Sequence, residues 1–173
     1  MRFPKSNEGF SLIELILVVT IIGVIAAIAV PNLLSSRRAA NEASALSALR
    51  IIANGEATYR MTAGGGNYGD LAALASVNIV DSRVGGATIA GPGTPKSGYL
   101  FSAASVANVG VPAFDAKAQA FLHTSVDILF GTGSRSFYVN ELGVIYFNAT
   151  DTAPTCSATA LRTVAGGTVL NNN

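Results

Sequence analysis

The chain has 173 residues, half of them hydrophobic and only 12% charged, with a mean hydropathy of +0.45. That composition excludes a disordered, charge-solvated chain, and 11 basic against 10 acidic side chains give no electrostatic case for nucleic-acid binding. One cysteine, Cys156, excludes an intrachain disulfide and any multi-cysteine metal site, and one histidine, His123, excludes a histidine-rich one.

The first predicted element is apolar. From Phe10 to Val30 the sequence reads FSLIELILVVTIIGVIAAIAV, 21 residues with one ionisable side chain, Glu14. The β-branched content suits a strand, but the length does not. As a helix it spans roughly 31 Å, about one bilayer core. The basic residues before it, Arg2 and Lys5, predict that this end stays on the cytoplasmic side of a membrane. An ordinary secretory signal is the other reading, but its apolar stretch is shorter and ends at a small-residue cleavage site. A carboxylate such as Glu14 is costly inside an apolar helix. Two readings of it stand side by side: it snorkels to the membrane surface, or it awaits a cation from a partner.

Gly9-Phe10-Ser11-Leu12-Ile13-Glu14 resembles the cleavage and methylation motif of type IV prepilins and of the related pseudopilins of type II secretion. The short basic leader ending in Gly, the Phe after it, the Glu at the fifth position from the cut and Pro31 after the apolar run all match that pattern. The resemblance implies a leader, residues 1–9, that a prepilin peptidase removes between Gly9 and Phe10. It implies N-methylation of the new Phe10 amine, and pairing of that amine with Glu14 of a neighbouring subunit. Without Arg2, Lys5 and Glu8, nine basic and nine acidic side chains remain, so stacked copies do not repel through net charge.

Pro31 removes a backbone donor and predicts a kink or an end to the helix. Beyond it Leu33, Leu34, Ala40, Ala43, Leu46, Leu49, Ala53 and Ala57 recur largely at three- and four-residue steps, an amphipathic pattern that stops at Gly64-Gly65-Gly66. One helix of ~53 residues, roughly 80 Å long, is expected. Residues 10–30 form its membrane or filament-core half and 31–63 its amphipathic half. Arg37 and Arg38 read as solvated charges at a membrane exit.

Residues 64–173 read as a globular part. A short helix is expected from Asp70 to Ala75 with Asp70 as N-cap, followed by a turn-rich loop to residue 96. Four antiparallel strands follow, at Tyr99–Ala103, Ala118–Ser125, Ser136–Val139 and Val144–Phe147. The last two form a hairpin whose turn, residues 140–143, places Gly143 at positive φ. Thr168–Leu170 is a candidate edge strand. The expected fold class is α+β: a long N-terminal helix packed on a small four-stranded antiparallel sheet, as the pilin resemblance also implies.

Candidate chemistry is sparse. Gly64–Gly69 spells G-x-G-x-x-G, but a helix precedes it and no parallel sheet is in prospect, so it lacks a dinucleotide site's context. No phosphate-binding G-x-x-x-x-G-K-[ST] exists, so ATP hydrolysis for filament extension falls to another protein. His123 has no recognisable nucleophile and acid around it. Asp127, Glu141 and Asp151 lack the spacing of a calcium loop. With Cys156 alone, the C-terminal segment must be held by packing or by subunit contacts. Asn148-Ala149-Thr150 matches a glycosylation sequon by pattern.

The expected function is a structural, self-assembling type IV pilus subunit and not an enzyme, with no cofactor or metal and no nucleic-acid partner. Its expected partners are copies of itself, a prepilin peptidase, the pilus assembly machinery and the bacterial inner membrane, which it leaves for an extracellular pilus. The alternatives are a type II secretion pseudopilin and a single-pass anchored binding domain.

Overall fold

The computed structural model describes residues 9–89, 94–106, 111–120, 132–150, 152–157 and 162–170. Three helices come first: α1 (Leu12–Met61), α2 (Leu71–Ser76) and α3 (Ser82–Gly85). Seven strands follow: β1 (Tyr99–Val106), β2 (Ala113–Ala120), β3 (Ser136–Asn140), β4 (Ile145–Asn148), β5 (Thr155–Cys156), β6 (Val164–Ala165) and β7 (Thr168–Val169). The chain divides into two compact units, one ending at Ser36 and one beginning at Arg37.

Helix α1 runs through Pro31. Proline lacks the N–H that the Ala27 carbonyl would otherwise receive. In the first unit Thr20 Oγ1 donates to the Ile16 carbonyl at 2.8 Å, which satisfies the hydroxyl inside an apolar stretch. Glu14 in the first turn and Arg60 in the last complement the helix dipole. Gly65 and Gly66, at φ +57° and +93°, take the chain out of the helix. Arg60 Nε donates to the Gly66 carbonyl at 3.0 Å, and its guanidinium lies over the Tyr68 ring.

In the second unit α1 buries Ala45, Ala48, Leu49 and Ile52 against the sheet. The two alanines let the helix approach closely, so the sheet's large rings reach the leucine and isoleucine. Along β1 the inward residues are Tyr99, Phe101 and Ala103; along β2 they are Phe114, Ala116, Ala118 and Ala120; β3 adds Phe137 and Val139. Each fully buried large apolar side chain contributes about 1.5–3 kcal/mol. Helix α2 closes this core with Leu71 and Leu74. Its N-cap is Asp70, whose side chain accepts from the Ala73 N–H at 2.7 Å, as expected from the sequence.

The main sheet is antiparallel with order β1-β2-β3-β4-β7, so it has five strands where the sequence predicted four. The fifth is the candidate edge segment. Thr168 and Val169 pair with Phe147 and Tyr146. The turn before them uses Gly166 at φ +74° and Gly167, where a Cβ would meet Pro154 at 2.7 Å. The second strand is also corrected. It begins at Ala113, not Ala118, because Phe114 and Ala116 continue the buried alternation through the polar Asp115 and Lys117; residues 121–125 of the expected strand lie outside the described residues. A further short helix, α3, capped by Asp81, interrupts the expected loop.

The β3–β4 hairpin forms as predicted, with Phe137 opposite Phe147 and Gly143 at φ +73°. Every residue of β3 is buried. Phe137 and Val139 face the helix, so Ser136, Tyr138 and Asn140 point to the other side, where the C-terminal segment covers them. Ser136 Oγ donates to the Thr150 carbonyl at 2.7 Å, and Ala153 and Pro154 are buried there.

Candidate processing and assembly segment

The chain enters α1 through Gly9, Phe10 and Ser11. Phe10 is 85% exposed, and the large apolar side chains from Leu12 to Val30 are exposed as well. The 18-residue apolar window has a mean hydropathy of 2.9 and none of it is buried by the chain itself. By length and composition α1 is able to cross a membrane. A surface this apolar needs lipid or other protein around it.

Ser11 and Glu14 meet. The Ser11 N–H donates to Glu14 Oε2 at 3.0 Å, the backward half of a capping box. This bond was not foreseen, although S-x-x-E directly before an apolar run is its sequence signature. One Glu14 oxygen is therefore engaged at the helix start. Gly9 has no strained backbone angle, and a Cβ built there meets nothing within 4 Å. Among the described residues nothing packs against this position.

The other residues singled out in the sequence are dispersed. Gly64–Gly69 forms the exit from α1 and leads into α2, with no strand before it. His123, Asp127 and Asp151 lie outside the described residues. Glu141 does not face an ion site: its Oε1 accepts from Arg162 Nε at 2.9 Å. Among the described residues no group of three or more metal-ligating side chains occurs. Cys156 is half-buried beside the Asn140 amide at 3.9 Å. Arg37 is exposed and Arg38 half-buried.

Three ionic features had no signal in the sequence, because their partners are far apart along the chain. The buried Glu42 accepts from Ser134 N and Oγ at 2.9 and 2.7 Å and from Arg135 Nε and Nη2 at 2.8 and 2.6 Å. Burial alone would push this carboxyl up; the bonds from Ser134 and Arg135 outweigh it and hold the carboxyl below its ordinary value. Arg162 pairs with both Asp115 and Glu141 and donates to the carbonyls of Phe114 and Ser157. Burial opposes its charge, yet Glu141 and Asp115 keep it firmly protonated. This clasp ties the C-terminal segment to the sheet where a disulfide is impossible. The third is Glu56, wholly buried on α1.

A family profile described as the prokaryotic N-terminal methylation motif matches residues 4–30. The chain is 38% identical over 58 residues to the type IV major pilin protein PilA of Myxococcus xanthus, covering 34% of this chain and 26% of that protein. It is 34% identical over 61 residues to the type II secretion system core protein G of Escherichia coli, covering 35% and 42%. It is 47% identical over 38 residues to the type IV wide pilus major component PilA4 of Thermus thermophilus, covering 22% and 29%. The matches thus span less than half the length of each relative. No solved structure matches the chain significantly. The N-terminal third of the chain is thus similar to type IV pilins and to a type II secretion pseudopilin, through the methylation motif and the apolar helix that follows it.

Proposed function

We propose that the chain is a structural filament subunit of the type IV pilus class, made as a membrane-anchored precursor. A prepilin peptidase cuts after Gly9, the Phe10 amine is methylated, and Glu14 then pairs with the Phe10 amine of a neighbouring copy. The observation that carries this reading is the combination of the GFSLIE motif with a lipid-length apolar helix that the chain leaves bare.

The physics of assembly follows from the bare helix. Moving it from lipid into a filament core gains little hydrophobic energy, because both surroundings are apolar. Close packing, polar pairing and lipid release must supply the difference. Gly23, with open space around it, and Ala27 one turn on give a neighbouring helix a surface of small side chains to approach. Pro31, by its missing donor, allows the helix to bend as it packs. The Phe10–Glu14 pair sets the register, since each charge alone is costly in an apolar bundle.

The similarity to core protein G favours a second reading, a pseudopilin of a type II secretion system. Both readings predict that Glu14→Leu inserts into the membrane and is cut after Gly9, yet enters filaments poorly. Loss of a buried pair costs about 3–5 kcal/mol, more than a hundredfold in incorporation at each step. The test compares membrane-fraction and sheared-filament amounts for wild type and Glu14→Leu. Equal filament yields would reject the pairing role, and a wild type that forms no filaments would favour the anchored monomer.

A further inference from the structure

Glu56 lies in the last turns of α1 with no exposed surface. Its Oε2 accepts from the Gly69 N–H at 3.0 Å, and its Oε1 has no partner among the described residues. That hydrogen bond ties the end of the glycine loop to the helix. Gly69 is packed tightly there, since a Cβ would sit 3.0 Å from both Leu74 and Tyr59. The middle of the loop is different: Gly65 and Gly66 are exposed and a Cβ on either meets nothing. Their backbone is nonetheless tied to α1, since the Gly66 N–H donates to the Arg60 carbonyl and the Gly66 carbonyl accepts from Arg60 Nε, both at 3.0 Å, so Glu56 holds only the Gly69 end of the loop.

The charges around Glu56 do not favour its ionised form. Burial is the main cost; the Gly69 N–H offsets part of it, and the Asp70 carboxylate at the start of α2 adds a charge of the same sign. Arg60, one turn on along α1, is committed to the Gly66 carbonyl and the Tyr68 ring. Tyr59 and Tyr68 bring aromatic rings from α1 and the loop. The α2–α3 connection brings Ile79 and Val80 against the adjacent Gly55. An ionised carboxylate here would hold one N–H and leave its second oxygen dry.

We infer that Glu56 is a proton-operated latch, which holds Gly69 and the start of α2 to α1 when protonated and releases them when ionised. The inference goes beyond the filament reading and does not depend on it. Release admits water to Oε1. The loop and the start of α2 would then present a different surface in alkaline than in mildly acidic surroundings.

The test is amide hydrogen exchange at Gly69 in the full chain in detergent micelles, corrected for the intrinsic pH dependence of exchange. With the carboxyl raised to about 7 in the closed loop and ordinary in the open one, opening should rise roughly thirtyfold between about pH 5.5 and pH 8.5. Glu56→Gln should abolish that rise. A wild-type protection that ignores pH, or a rise that persists in Glu56→Gln, would overturn the latch. Should Glu56→Gln fail to fold, carboxyl carbon NMR of the wild type decides: a midpoint near 7 followed by the Gly69 amide is expected, and a midpoint below about 5 rejects it.

Discussion

Glu42 and Glu56 lie on the same helix and are both buried, yet their surroundings drive them in opposite directions. Glu42 is held below the ordinary carboxylate value of 4.5, so its contribution is present above that value and is lost as pH falls through the lower folded value. Glu56 is raised to about 7, so its contribution is intact below 4.5 and is lost as pH rises to 7 and beyond. Glu56→Gln should therefore change stability little near pH 4.5 and increase it at pH 8 by about 2–3 kcal/mol. Glu42→Gln should do the reverse: a loss of about 1–2 kcal/mol at neutral pH, moderated by the exposed side of Arg135, that shrinks on acidification. Denaturant titrations of the two variants across pH would check both slopes. Equal pH profiles for the two variants would contradict the assigned surroundings.

Among the elements, the β3–β4 turn and the C-terminal segment depend on different physics. Gly143 is exposed and a Cβ there meets nothing, so its requirement lies wholly in its φ of +73°. Gly143→Val should cost about 1–2 kcal/mol, and Gly143→Asn clearly less, because asparagine tolerates the left-handed region. Matching melting temperatures for the two variants would deny that requirement. The C-terminal segment depends on Arg162, whose side chain is 8% exposed between Asp115 and Glu141. Arg162→Met keeps the bulk and strands two carboxylates, at a cost of about 3 kcal/mol. Proteolysis should then cut first between β5 and β6, while β1–β3 stay protected; an unchanged cleavage pattern would mean that packing by Ala153 and Pro154 suffices.

At the scale of the whole molecule, the two units differ in how much apolar surface the chain itself covers. The unit from Arg37 onward encloses its own core of aliphatic and aromatic side chains. The described residues of the unit ending at Ser36 bury almost nothing within the chain, and a surface this apolar calls for apolar surroundings. The processing reading fixes the mass of the mature subunit. Protein recovered from filaments or membranes should begin at Phe10 and carry one methyl group on its amine. An intact-mass measurement finding Met1 retained, or a start near Ala29, would remove the basis for the assembly reading.

The sequence by itself determined whatever depends on neighbours along the chain. The helix from Leu12 to Met61 follows from apolar spacing and the glycine stop, Asp70 from local capping, and the hairpin from alternation around Gly143. The GFSLIE segment is likewise local, as is the Ser11–Glu14 cap that its S-x-x-E spacing encodes. Tertiary structure alone decided the rest. Asp115 and Lys117 disguised β2, because their polarity is tolerated only on the outer face of a sheet. Strand β7 was legible only as a candidate edge segment at Thr168–Leu170; the edge that β4 offers, and the close approach of Gly167 to Pro154, decided its pairing. The partners of Glu42, Glu56 and Arg162 come from segments up to 93 residues away. Burial, which turns an ordinary carboxylate into a latch or a clasp, arises only when those segments close over it.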